Sequence, residues 1–229
     1  MTKTDLQNNL AELLASLPDE VRLVAVSKFH PASTIKEAYD AGQRLFGENR
    51  VQELVAKQPI LPDDIEWHFI GTLQTNKVKY IVPFVSMIQS VDTIKLMQEI
   101  NRQAEKCNRI VRVLVEVHIA TEESKHGFSP DECSALFMNN LPAKFKNIQI
   151  CGLMGIASFT EESEVVRCEF RTLRRLFDEI RSLPDTDKSL FTELSMGMSD
   201  DHKIAIAEGS TIVRVGSALF GERRISQKS

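Results

Sequence analysis

The run Val24-Ala25-Val26-Ser27-Lys28 places an amine at the end of a short apolar segment. In a strand, alternation puts Val24, Val26 and Lys28 on one face. An ammonium held against apolar walls is desolvated. Its pKa falls, favouring the neutral amine that attacks an aldehyde. A lone strand-end lysine equally well reaches a solvated rim, so the meaning of Lys28 depends on what faces it.

Two later stretches suit an anion. Leu194-Ser195-Met196-Gly197-Met198-Ser199-Asp200-Asp201 is a glycine-containing turn that leads into a helix, and such a turn offers backbone N–H groups to a phosphate. Arg214-Val215-Gly216-Ser217 ends another apolar run, with a glycine for close backbone approach and a hydroxyl beside it. Arg214 shares a strand face with Ile212. If that face is inward, the guanidinium needs a buried acceptor, because it cannot shed its proton; if outward, it pairs with a helix acid. Asn49 and His68 stand at the ends of two further strand candidates and are expected to line the same mouth. The other histidines, His30, His118, His126 and His202, have no metal-ligand spacing, and Lys77 and Lys79 read as solvated helix charges.

The elements that would position these residues repeat one theme from about residue 21. The strand candidates are VRLVAVS from Val21, RLFG from Arg44, EWHFIG from Glu66, SMIQSV from Ser86, IVRVLVEVHI from Ile110, IQICGLMGIA from Ile148, FTELSM from Phe191 and TIVRVG from Thr211. Helix-like segments lie between them, among them PASTIKEAYDAG, TIKLMQEINRQAEK, SPDECSALFMNNL and EVVRCEFRTLRRLFDEIRSL. Ser33 or Thr34 is expected to cap the first of these and Gly42 to stop it. Ser129-Pro130 should open another, and Ser199 should cap the helix that follows it. Eight strands alternating with helices predict a closed parallel (β/α)8 barrel rather than an open doubly wound sheet. In that fold the site lies at the C-terminal ends of the strands, with phosphate held after the last two. Leu6, Leu10, Leu13 and Leu14 recur at helical spacing, so residues 1–20 are expected to add a helix to a single domain spanning 1–229.

The composition fits an ordinary globular chain: 42% hydrophobic and 26% charged residues over 229 positions. A net charge of −4 disfavours bulk binding of nucleic acid or anionic membrane. No apolar run has the length of a membrane span, and the charged N-terminus lacks a secretory pattern. Cys107, Cys133, Cys151 and Cys168 form no CxxC pair, which argues against a zinc or disulfide framework and for a reducing cytoplasm.

Taken together, LVAVSKFHP, LFGENRVQE, EWHFIGTLQTNK, VLVEVHIATEESKHGF, GLMGIA, ELSMGMSDD and VRVGSALFGER extend in order over nearly the whole chain. In this it resembles the pyridoxal phosphate homeostasis proteins. The resemblance implies a TIM barrel of the alanine racemase N-terminal type, the fold type III class, with an extra N-terminal helix. It implies that Lys28 forms a Schiff base with pyridoxal 5′-phosphate. It further implies phosphate contacts around Ser195, Gly197, Gly216 and Ser217, with Arg214 near the pyridine nitrogen and Asn49 and His68 close to the cofactor.

The same resemblance implies a role in vitamin B6 homeostasis: buffering the cofactor, or delivering it to apo-enzymes that use it. The alternative is a weak amino-acid racemase, and a third reading gives the anion site to another phosphorylated metabolite. An arginine at the pyridine nitrogen restrains carbanion chemistry. Racemisation also needs a second base, and both tyrosines, Tyr39 and Tyr80, fall in helix-like segments. The expected protein is a cytoplasmic monomer with no catalytic residue assigned.

Overall fold

A computed structural model describes residues 3–121 and 126–221. Eight parallel strands close into a barrel in the order of the sequence, β1 pairing with β8. They are β1 (Arg22–Val26), β2 (Leu45–Glu48), β3 (Glu66–Phe69), β4 (Met87–Val91), β5 (Val111–His118), β6 (Ile148–Ile156), β7 (Glu193–Ser195) and β8 (Ile212–Val215). Each lies within its expected run except β2, which extends one residue past RLFG to Glu48. The helices are α1 (Lys3–Ser16), α2 (Ala32–Asp40), α3 (Val51–Lys57), α4 (Val78–Ile81), α5 (Ile94–Lys106), α6 (Pro130–Met138), α7 (Ser163–Arg181), α8 (His202–Ala207) and α9 (Ser217–Phe220). No helix among the described residues is long and apolar enough to cross a membrane.

Strands buried on both faces read as continuous apolar runs, and two cores result. The outer core lies between the barrel and its helices. In α7, Val166, Phe170, Leu173 and Phe177 form a stripe at helical spacing, all buried. Burying each such side chain contributes roughly 1.5–3 kcal/mol. The inner core holds Val24, Val26, Leu45, Met87, Leu114, Cys151, Met154 and Ile212. At the N-terminal end of the barrel Glu193 accepts from Arg22 (2.9 Å) and Arg112 (2.8 Å), which closes that end with a shared ion pair. Helix α1 buries Leu6 and Leu10, while Leu14 is exposed and off the stripe. The Asn9 amide of α1 donates to the Leu219 carbonyl of α9.

The helix caps correct two expectations. Helix α2 begins at Ala32 with Pro31 as its cap, so neither Ser33 nor Thr34 is available for that role: both already lie inside the helix. Helix α8 begins at His202 with Asp201 before it, and Ser199 is not its cap. Ser129 does cap α6, in a reciprocal box with Glu132. Gly42, at φ +106°, follows α2 as expected.

One irregularity was not legible in the sequence. The β5–β6 register shifts between Val113↔Ile150 and Leu114↔Gly152, so Cys151 is an extra residue on β6. At the same bulge, a Cβ on Gly152 would stand 1.7 Å from the Glu193 carbonyl oxygen. Gly152→Ala must therefore push β7 away from β6. We expect a loss of about 2–4 kcal/mol, read as a lower urea midpoint with unchanged slope; an unchanged midpoint would contradict this register.

Candidate functional site

Register places the expected site residues on neighbouring inner-facing positions. Val26 pairs with Gly47, and Gly47 pairs with His68. Lys28 lies two residues beyond Val26, and Asn49 two beyond Gly47, at the C-terminal mouth. Val24 and Val26 face the inner core, so the alternation that carries Lys28 to that side holds up to the strand end. Lys28 itself is half-buried, in the turn after β1. Among the described residues three buried side-chain polar atoms have no partner: Glu48 Oε2, Asn49 Oδ1 and His68 Nε2. A buried unpaired polar atom costs about 1–3 kcal/mol, so each marks a place suited to a ligand atom or a water.

Across the barrel runs a chain of hydrogen bonds whose direction can be derived. Arg214, almost fully buried on β8, can only donate. Its Nη1 donates to Ser195 Oγ at 2.6 Å and its Nη2 to the Gly155 carbonyl at 2.9 Å. Ser195 therefore directs its own proton to Gln89 Oε1, at 2.7 Å. That fixes the Gln89 amide with its nitrogen toward His68 Nδ1, also at 2.7 Å. The His68 Nδ1 is thus an acceptor, and the single proton of the neutral ring sits on Nε2, the atom without a partner. Burial lowers the His68 pKa to about 3, with help from the charges of Arg22 and Arg112. Burial likewise lowers that of Arg214, to about 10, which leaves it cationic at neutral pH.

The resemblance implies a phosphate contact around Ser195; in the structure its hydroxyl is wholly buried and bonded to Gln89 and Arg214. In the loop after β7 it is Ser199 that meets the loop after β8: its Oγ accepts from the backbone N–H of Gly216 (3.3 Å) and of Ala218 (3.5 Å). Gly197 turns that loop at φ +94°, and a Cβ there would lie 2.5 Å from the Cβ of Ala205. Gly216 and Ser217 stand together at the start of α9, with Ser217 exposed.

Three residues that sequence reasoning left unassigned belong to this mouth. Gln89 is the link between His68 and Ser195, and lay unremarked inside SMIQSV. Glu169 of α7 accepts from the Ser158 backbone (2.7 Å) and hydroxyl (2.6 Å) and from the Thr121 N–H (3.0 Å), tying together the loops after β5 and β6. Glu116, inward on β5, has its carboxyl pushed up to about 7, first by burial and then by Asp92, against the opposing charges of Arg214 and His126. Sequence spacing carries none of these signals, because each partner lies on another strand or helix.

The Glu116 carboxyl has a definite effect on stability. Its folded pKa lies above the unfolded value, so the native state binds the extra proton at low pH and loses that advantage as pH rises through about 7. His68 acts oppositely: its depressed pKa makes the native state lose stability as pH falls from about 6.5 towards 3. Because the two windows overlap, Glu116→Gln should leave the His68 contribution unopposed, so that the urea midpoint rises more steeply with pH than in wild type between about pH 5 and about pH 6.5. A variant that keeps the wild-type slope would show that Glu116 is ionised in the fold.

A family model described as "Alanine racemase, N-terminal domain" matches residues 2–224. The pyridoxal phosphate homeostasis protein of Aquifex aeolicus is 45% identical over 204 residues, covering 89% of this chain and 87% of that protein. The human protein of the same name is 42% identical over 217 residues, covering 90% and 78%. Among solved structures, PipY of Synechococcus elongatus without pyridoxal phosphate superposes with a TM-score of 0.87 at 40% identity, covering 94% of this chain and all of that one. The same protein with pyridoxal phosphate bound gives 0.84 at 39%. This barrel, with that family match and those identities, belongs to the pyridoxal phosphate homeostasis proteins of the alanine racemase N-terminal-domain family.

Proposed function

We propose that this chain binds pyridoxal 5′-phosphate at the C-terminal mouth of its barrel and serves cofactor homeostasis, holding the cofactor or passing it to apo-enzymes. The observation that carries the reading is a pair of buried atoms without partners, the acceptor Asn49 Oδ1 just past the end of β2, the strand beside the one that leads to Lys28, and the donor His68 Nε2 on β3, the next strand round. A planar, polar, hydroxylated pyridine suits such a pair. The loops after β7 and β8 suit its phosphate: the N–H groups of Gly216 and Ala218 already converge on one oxygen, that of Ser199. When bound, the cofactor supplies an aldehyde that links reversibly to an amine, here assigned to Lys28.

Within this reading Ser217 and Ser199 offer hydroxyls to the phosphate, Gly197 shapes the loop, and Gly216 lets the backbone approach. Arg214 faces the ring nitrogen and stays charged, so the nitrogen remains unprotonated and the ring draws electrons weakly. Ser195 and Gln89 hold Arg214 and His68 in place rather than touching the phosphate. Both tyrosines support a carrier over a racemase: Tyr39 is at the end of α2, bonded to Asp64, and Tyr80 is exposed on α4. Neither stands at the mouth to serve as a second base.

Purified protein should be yellow, and borohydride should fix the cofactor on the peptide containing Lys28. Lys28→Ala should abolish the visible absorbance while leaving the circular dichroism unchanged; a colourless wild-type protein with no adduct would sink the reading. Ser217→Ala should weaken cofactor retention by about 1 kcal/mol, measured by equilibrium dialysis. Carrier and racemase separate in heavy water, where the carrier should exchange no amino-acid α-proton at a useful rate. Rapid deuteration would establish the racemase instead.

A further inference from the structure

Beyond the mouth, a buried ion cluster grips the turn that bears Lys28. The Lys57 ammonium, at the end of α3, donates to three oxygens: Glu48 Oε1 (2.7 Å), the Ser27 carbonyl (3.0 Å) and Glu53 Oε2 (3.1 Å). All three of its protons are thereby used. The Ser27 hydroxyl donates to the same Glu48 oxygen at 2.7 Å, and the Phe29 N–H donates to the same Glu53 oxygen at 2.8 Å. The residues before and after Lys28 are both tied to this one cluster. Glu48 is wholly buried and Lys57 nearly so, which removes the competition from water that weakens surface ion pairs.

The turn is also strained. Phe29 adopts φ +67°, and the other non-glycine residues with positive φ among the described ones are Asn108 and Asn140. Asparagine tolerates that conformation; a phenylalanine does so only where its surroundings impose it. Here the Glu53 carboxylate, holding the Phe29 N–H, supplies such an imposition directly beside the reactive amine.

We propose that Lys57, with Glu48 and Glu53, is a positioning cluster that aims the Lys28 amine at the incoming aldehyde. The proposal rests on the assignment of Lys28 above. In the step it serves, the Nζ lone pair forms the bond to the aldehyde carbon, and the aldehyde oxygen leaves as water with the two protons of the neutral amine. The cluster touches none of these atoms; it sets the distance and angle at which they meet.

The test separates aiming from binding. Pyridoxamine phosphate carries an amine in place of the aldehyde, so it reports affinity without the covalent link. Glu53→Ala removes the Phe29 contact from a partly exposed position, avoiding the unpaired Glu48 carboxylate that Lys57→Met would bury. In full-length protein stripped of aldehyde with hydroxylamine, Glu53→Ala should slow formation of the C=N absorbance by about 10-fold or more, with pyridoxamine phosphate affinity held within about 2-fold. Glu53→Gln, which keeps an acceptor for Phe29, should recover most of the rate. Lys36→Ala, in an exposed pair with Asp40, should match wild type. A wild-type rate in Glu53→Ala would overturn the proposal, as would an equal loss of rate and pyridoxamine phosphate affinity. If wild-type protein yields no borohydride-fixed adduct, the assignment of Lys28 itself fails and the cluster is merely structural.

Discussion

A guanidinium enclosed in a barrel cannot give up its proton, and much of this interior is arranged around that constraint. Arg214 must donate, so Ser195 must accept from it and pass its own proton to Gln89, and Gln89 must turn its nitrogen to His68. One obligatory cation on β8 thereby sets the tautomer of a histidine on β3, across the lumen. A neutral residue at 214 would leave each later group free to choose its orientation. Directed polar networks of this kind specify a single arrangement where apolar packing alone would tolerate several.

The frame of the molecule was legible because it depends on local patterns. Apolar runs with intervening amphipathic segments gave the strand count, and the (β/α)8 fold then fixed which strand ends form the mouth. Lys28, Asn49, Arg214, Gly216 and Ser217 could be picked out on that basis before any contact was known. Relations among residues far apart in the chain could not. Ser195 ends β7 and Ser199 lies four residues on in the loop that follows, and only the three-dimensional register shows that the first faces into the lumen while the second reaches the start of α9. The bulge at Cys151 is equally silent in sequence, since IQICGLMGIA reads as one uninterrupted strand.

Charge in this barrel is graded by depth. At the N-terminal end, Arg22 and Arg112 share Glu193; in the middle, a neutral histidine and two uncharged side chains join across the lumen; near the mouth, Glu116 lies within the field of Arg214. The other ions are thus kept where water can still reach one side of them or where an opposite charge stands close, whereas Arg214 is enclosed and held by the Ser195 hydroxyl and the Gly155 carbonyl. The His68 level between them carries only neutral groups and the one cation that directs them. This ordering follows the cost of removing ions from water, which grows with enclosure unless a partner compensates it.

The ion pair that seals the N-terminal end and the apolar layer above it make the barrel a blind tube. A molecule held at the mouth has one way in and the same way out. If the chain passes its cofactor on as proposed, the hand-over would use that same opening, and one occupant would have to leave before the next arrives.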